Sequence, residues 1–506
     1  MVSQRKSGAI LGYLNIAIKN LVNLLYTPML LSFIGQADYG VYQTANSFVF
    51  SLTLLTFGFT GAYVRFYTQK KTMGSERDIR VLNGMYLVLY ATICVITLVF
   101  GFLFSTNAGS FFSGGFTLNQ VELAGRLMAI MTVNVAVTIF ATVFDAYIIA
   151  CEQFRFQQTR QMLTTLMTPA IAYVLLEMEF GAVGVALVQL FVAFVLLILN
   201  VRFAYCKLGM RFCFKRFDAV LFRSIAAFSS WIFINQACDL VNQSVPNMIL
   251  GALTTAATVS VFAVAIQVRQ VFYSLSTTLS SVFVPKINYI VATSDDNEEL
   301  THLMTRVGRY QMLLFCWTYC GFVLLGKFFV SRWAGDSFLE SYNLICVMTL
   351  PLAVPLCQNT GIEIQRAKNR HKARSVVYLC MSILNVVFTC MASPYLGYWA
   401  PAIAYVVGIA LGNGLFMNWY YHVRIGLDMR YFWKRNLPII LISFVVLIAC
   451  EWLVQFMPIA SWQTFLFWGF AYTALFMLAM WHLVIGKGER AALASKILSY
   501  RHRGQE

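Results

Sequence analysis

Fourteen apolar stretches of about 20 residues follow one another along this chain, each long enough as a helix to cross the hydrocarbon core of a bilayer. They fall at about 8–34, 41–65, 81–105, 122–149, 160–177, 181–204, 224–247, 256–284, 310–331, 341–363, 375–393, 397–422, 437–457 and 462–485. Inside a membrane the backbone must satisfy its own hydrogen bonds, so the pattern predicts an all-α polytopic protein. Composition agrees: 59% of the 506 residues are hydrophobic and 11% charged, against about 25% charged in soluble proteins. Soluble multidomain, disordered, collagen-like and disulfide-scaffold readings are excluded. The first stretch is no cleavable signal, because it runs about 26 residues, contains Lys19 and lacks an A-x-A site.

The net charge of +16 would suit a nucleic-acid binder, but its placement argues otherwise. Of 37 basic residues, 32 fall in alternate gaps and at the chain ends, among them Lys70, Lys71, Arg77, Arg80, Arg155, Arg160 and the run Arg366, Lys368, Arg370, Lys372 and Arg374. That asymmetry is the positive-inside rule, and it places both termini in the cytoplasm. The basic excess sets topology and attracts anionic headgroups, with no nucleic acid implied. Arg126, Lys327 and Arg332 lie near the other face, and only Lys19 and Arg269 stand mid-helix.

Catalysis and metal binding lack material. The 12 cysteines are scattered through apolar segments, where packing explains them, and the helical pair Cys316 and Cys320 has no His or carboxylate beside it. The five histidines lie in loops, at helix ends or in the tail. No cofactor and no metal are expected. The longest outer connection, Ser105 to Val121, reads as a flexible loop too small for a domain. The longest inner gap, Ile287 to Gly308, carries Asp295, Asp296, Glu298 and Glu299 and reads as a solvated linker between bundles.

The chain also repeats itself. A shift of about 220 lays the first helix on the seventh, so that Asn15 falls on Asn235, Lys19 on Asp239, Asn23 on Gln243, Tyr42 on Phe262 and Gly40 on Ser260. A shift of about 217 sets Ala150 and Arg155 on Ala367 and Lys372, and Gly181–Gln189 resembles Gly397–Tyr405. Asn15, Lys19 and Asn23 are spaced i, i+4, i+8 and form one helical stripe. Six helices separate the copies, an even number, so both keep the same orientation, related by an axis along the membrane normal. The expected organisation is an N-terminal lobe at 1–215, a C-terminal lobe at 216–425, and two extra helices with a basic tail at 426–506, the lobes flanking a central cavity.

With fourteen helices, two lobes and the sequence TPMLLSFIGQADYGVYQ from Thr27 to Gln43, the chain resembles the polysaccharide-transport and O-antigen flippase branch of the multidrug/oligosaccharidyl-lipid/polysaccharide exporter superfamily. The motif's Pro, Gly and Tyr-Gly-x-Tyr carry the likeness, while the second half departs from it, with Ser260 in place of Gly40 and Pro246 out of line with Pro28. The resemblance implies a non-enzymatic flippase that moves a polyprenyl-diphosphate-linked oligosaccharide across the cytoplasmic membrane by alternating access. It implies a monomer among membrane lipids, with polysaccharide polymerase and glycosyltransferases as partners. In the similar lipid II flippases, basic residues stand on the first, second and eighth helices, where Lys19, Arg65 and Arg269 lie here.

A diphosphate needs cations inside the membrane and sugars need amides. Lys19 with Asn15 and Asn23, Arg269 between Gln267 and Gln270, Arg65, Asn235 and Gln243 are therefore the candidate cargo contacts. Lys19 could instead pair with its counterpart Asp239, and Arg65 could snorkel. Asp239, Asp145, Glu363 and Arg366 could gate or carry a coupling ion, or form ion pairs near the basic loops. A cation-coupled multidrug exporter of the same superfamily is the alternative, and a membrane glycosyltransferase or polymerase is disfavoured by thinly spread outer carboxylates.

Overall fold

The computed structural model describes residues 2–214, 219–281, 283–370 and 372–484. All regular structure among them is helical. Among the described residues eleven stretches are long and apolar enough to cross a membrane. The first, Leu14–Thr72, is 59 residues long and holds two crossings. Two further helices, Phe154–Glu177 and Ala219–Gln243, have 24 and 25 residues, the length of a crossing, but are more polar. Fourteen crossings are compatible with this set. Large apolar side chains face outward in rows, such as Val95, Val99 and Leu103 on the helix Glu76–Thr106, at 54–60% exposure. Such rows are stable against lipid and not against water, and the chain is a multi-pass membrane protein.

Hydropathy locates these helices, while polar chemistry sets their ends and interruptions. Ser75 and Asp78 form a reciprocal capping box at the start of Glu76–Thr106. Asp296 caps Asn297–Ala334 and Asp428 caps Met429–Val454, each accepting a backbone N–H. The ninth crossing therefore begins at Asn297, well before the apolar window opened near 310, because its first turns are too polar for hydropathy to register. The acidic run Asp295, Asp296, Glu298 and Glu299 is exposed, as expected of a solvated segment, but the gap Ile287 to Gly308 lies within one compact unit and is not a linker between bundles. It is mostly helix, through Val284–Thr293 and Asn297–Ala334, and Asp295 reaches Lys368 at 2.6 Å.

The crossings are also more interrupted than the sequence suggests. The helix Val2–Ser51 breaks at Gly35, whose φ of 75° and ψ of 171° suit a residue without a Cβ. The second crossing, expected unbroken over 41–65, turns left-handed at Phe57 and Gly58 before Phe59–Met73 resumes. The tenth, expected over 341–363, becomes Leu339–Thr349, a 3₁₀ turn at Leu350–Leu352, Ala353–Cys357 and Asn359–Ala367. Pro351 and Pro355 lack the N–H groups a continuous helix would need. The outer connection after Ser105 is packed and not free: it forms the helix Ala108–Phe112, and a Cβ on Gly115 would collide with the Thr254 carbonyl.

The chain forms two compact units, 1–263 with 382–401, and 264–381 with 402–506. In the first, the flippase-like motif is structural. Tyr39 and Tyr42 are buried, Gln43 donates to the Tyr39 hydroxyl at 2.7 Å, and Gln189 donates to the Tyr42 hydroxyl at 2.6 Å. Gly40 lies so close to the Ala256 carbonyl that no side chain fits. One turn on, Thr44 packs on Gly251, and Asn247 donates to Ser47 at 3.2 Å.

The repeat is written in the backbone. Glu152 and Asn369, 217 positions apart, both adopt a left-handed conformation, with φ of 58° and 54°. Around them Cys151 N–H bonds Tyr147 O as Lys368 bonds Ile364, and Gln153 bonds Ile148 as Arg370 bonds Gln365. At the same shift, left-handed Gly209 matches Gly426, and the Met210 to Ala204 bond matches Leu427 to Tyr421, both 2.9 Å. Non-glycine residues rarely adopt positive φ, so these coincidences exceed what shared hydropathy would produce.

Candidate functional site

The first helix divides its polar stripe. Asn15 is buried, at 6% exposure, and its amide donates to Gln158 at 3.1 Å, while Lys19 and Asn23 are exposed. The Asn23 carbonyl accepts from Thr27. Among the described residues no carboxylate lies within ion-pair distance of Lys19, so the Lys19–Asp239 pair is not formed in this conformation. Arg65, Asp239 and Gln243 are exposed on their helices. The side chain of Asn235 lies outside the described residues. Next to Gln243, Asn242 donates to Ser382 at 2.8 Å and accepts from Asn385 at 3.2 Å, a partly buried amide contact between helices that the sequence does not announce.

In the second unit Arg269 is 5% exposed on the helix Ala256–Ser281. Its guanidinium lies 4.1 Å from the centre of the Tyr405 ring. Among the described residues it meets no carboxylate. Stacking on an aromatic face engages the π side of the planar head and leaves its in-plane N–H donors available. Tyr405 escaped the sequence reading because one aromatic in an apolar helix carries no signal of its own, though its repeat partner Gln189 is also engaged, with Tyr42.

Three of the gating candidates, Asp145, Glu363 and Arg366, are held in ion pairs. Asp145 accepts from Arg160 at 2.6 Å, with the side chains 26% and 11% exposed, and Arg160 also donates to Asn200. Glu363 pairs with Arg366 at 2.7 Å. Nearby, Lys368 bridges Asp295 and Asn297, at 2.6 and 2.7 Å, with its side chain 9% exposed. The Asp145–Arg160 and Asp295–Lys368 pairs tie separate helices together, while Glu363–Arg366 lies within the single helix Asn359–Ala367.

A sequence profile described as "Polysaccharide biosynthesis protein" matches residues 29–343, more than half of the chain. The chain belongs to this family. The matched span takes in the Gly35–Gln43 motif and Arg269, so this polysaccharide biosynthesis protein carries its buried cation within the segment that defines the family. No curated protein sequence matches it. Its fold is similar to that of a structure titled "Lipid II flippase MurJ, inward closed conformation", with a TM-score of 0.75, 14% identity, and coverage of 93% of this chain and 98% of that one. It is also similar to an inward-facing multidrug resistance MATE family transporter of the MOP superfamily, with a TM-score of 0.60, 13% identity, and 81% and 94% coverage. A mutant form of the Vibrio cholerae MATE transporter VcmN gives a TM-score of 0.55 at 12% identity, with 84% and 99% coverage. This member of the polysaccharide biosynthesis family thus has the fold of flippases and transporters.

Proposed function

We propose that the chain is a flippase that moves a lipid-linked oligosaccharide, bearing a diphosphate, across the cell membrane during cell-surface polysaccharide synthesis. The observation that carries this reading is Arg269: buried, stacked on Tyr405, and without a carboxylate among the described residues. A charge at membrane depth costs about 2.5–3.5 kcal/mol on insertion scales, and an uncompensated one is retained where function requires it. Placed 4.1 Å over the Tyr405 ring, the guanidinium can offer two parallel N–H donors to two phosphate oxygens. Lys19 adds a second cation, with Asn23, Gln243 and Arg65 as further contacts from exposed positions, while Asn15, engaged by Gln158, supports the helix face. Asp239 is a coupling-ion candidate beside Asp145 and Glu363, which pair with Arg160 and Arg366.

Both termini lie in the cytoplasm on this reading, the lobes alternate around a central cavity as a monomer, and polymerase and glycosyltransferases act before and after it. The drug-exporter alternative is weakened by the same arginine, which repels a cationic drug. Purified protein in liposomes decides the matter with a labelled polyprenyl-diphosphate sugar. Wild type moves the label to the opposite leaflet, and Arg269→Gln and the Lys19→Ala, Arg269→Ala double variant insert normally but lose transport. Undiminished translocation by the double variant would overturn the reading.

A further inference from the structure

The second repeat holds a small, partly open pocket near the basic face, lined by Gln358, Ile362, Arg374, Asn413, Met417 and Tyr421. Three of its side chains bring donors with no partner among the described residues. Arg374 is half-buried and meets no carboxylate there, and its only ring contact is Tyr378, at 5.9 Å. The Asn413 amide makes no hydrogen bond among them. Tyr421 is 2% exposed, yet its hydroxyl donates to none of them. The nearby carboxylate Glu363 is occupied by Arg366.

The first repeat shows what this position looks like when satisfied internally. At the 217 shift, Asp145, Arg160 and Asn200 correspond to Ile362, Val377 and Met417. The second copy has therefore lost all three members of the buried ion-pair triad. Its polar groups stand instead where the first copy has Ala141, Gln157, Leu196 and Ala204, the counterparts of Gln358, Arg374, Asn413 and Tyr421. The cation was kept, one turn away, and the carboxylate was not.

The backbone is built around the exchange. Gly181 to Gly209 spans 28 positions, but Gly397 to Gly426 spans 29. The extra residue is absorbed by the π-helical segment Ala410–Met417, which carries Asn413 and has only regular α-helix as its counterpart. Asn418 fixes the widened turn, donating to the carbonyls of Asn413 at 3.1 Å and Gly414 at 2.7 Å while accepting from Gln358 at 2.9 Å and Trp433 at 2.7 Å. The opposite wall is the interrupted stretch around Pro355. Irregular backbone at membrane depth is tolerated where it lines a cavity.

We infer that this pocket is an oxyanion site, separate from Arg269, that takes a phosphate group through Arg374, Asn413 and Tyr421. The phosphate comes either from an anionic lipid headgroup or from a free anion in solution. Thermal unfolding of the full-length purified protein separates the two. It is measured in nanodiscs of phosphatidylcholine with and without phosphatidylglycerol, and in detergent with inorganic phosphate. Surface lysines and arginines attract any anionic lipid, so the decisive variants are uncharged: Tyr421→Phe and Asn413→Leu, beside Arg374→Gln. The expected result is stabilisation of wild type with an apparent affinity reduced roughly tenfold in Arg374→Gln and several-fold in Tyr421→Phe. Stabilisation by phosphatidylglycerol alone assigns the site to a headgroup, and an equal effect of inorganic phosphate assigns it to a soluble oxyanion. Absence of stabilisation in wild type, or equal stabilisation of wild type and Tyr421→Phe, overturns the site.

Discussion

In the first repeat an arginine near the start of the fifth crossing is answered from within the protein, by Asp145 and Asn200. In the second repeat the corresponding arginine, displaced by one turn to Arg374, faces a pocket. The left-handed turns flanking both places match residue for residue in their hydrogen bonds, so the difference is confined to what lies between them, the exchanged side chains and the π-helical turn Ala410–Met417. What differs is where the anion comes from. A repeat that closes its own charge pair becomes a fixed joint, and one that leaves the cation unanswered acquires a dependence on its surroundings.

The largest effect expected on that comparison is at the closed joint. Asp145→Ala leaves Arg160 buried without its counter-ion and should cost about 3 kcal/mol of stability, read by denaturation in detergent. The triple change Asp145→Ile, Arg160→Val, Asn200→Met installs the second copy's residues and should recover most of that loss. If the triple variant is as unstable as the single one, the two positions are not equivalent.

Next comes the helix crossing at Gly40. Gly40→Ala forces a methyl into the Ala256 carbonyl and should cost about 3 kcal/mol. Its repeat counterpart Ser260, whose hydroxyl bonds only Ala257 of its own helix, should tolerate Ala at a cost below about 1 kcal/mol. Comparable losses at the two sites would show that the close approach is shared after all.

At the open position, Ile362→Asp restores the missing carboxylate. It should pair with Arg374 and remove phosphate-dependent stabilisation while changing basal stability by about 1 kcal/mol or less. Retained phosphate binding in this variant would mean that Arg374 does not face Ile362 across the pocket. The smallest effect is expected at Tyr405: Phe keeps the ring under Arg269 and should leave transport within about twofold of wild type, whereas Leu removes the stacking surface and should lower transport roughly tenfold. Equal activity of the Phe and Leu variants would remove Tyr405 from the site.

Much of the fold was legible because a bilayer reads hydropathy directly. The helical crossings and the repeat of Ala150 and Arg155 on Ala367 and Lys372 follow from apolar length and fixed spacing. Features that depend on polar atoms were not: the early start at Asn297 needs the Asp296 cap, and the breaks at Phe57 and around Pro351 sit inside windows whose mean hydropathy hides them. The two mid-helix cations were visible by exclusion, since Lys19 and Arg269 alone stood away from the charged gaps. Their environments were not visible: the stripe that unites Asn15 and Lys19 in sequence separates them in space, because Gln158 closes over only one of them. Tyr405 and Arg374 were hidden for opposite reasons, one as an ordinary aromatic and the other as one more member of a basic run.

The π-helical segment Ala410–Met417 bears on how such a duplicated chain diverges. A residue inserted into an ordinary α-helix turns everything beyond it by about 100°, which here would have swung Tyr421 and the left-handed Gly426 away from their partners. Gathering the insertion into one wide turn keeps the distal helix in phase, as the matching 2.9 Å bonds of Met210 and Leu427 record. Length thus became a local variable, able to change what a single turn presents without disturbing the rest of the crossing.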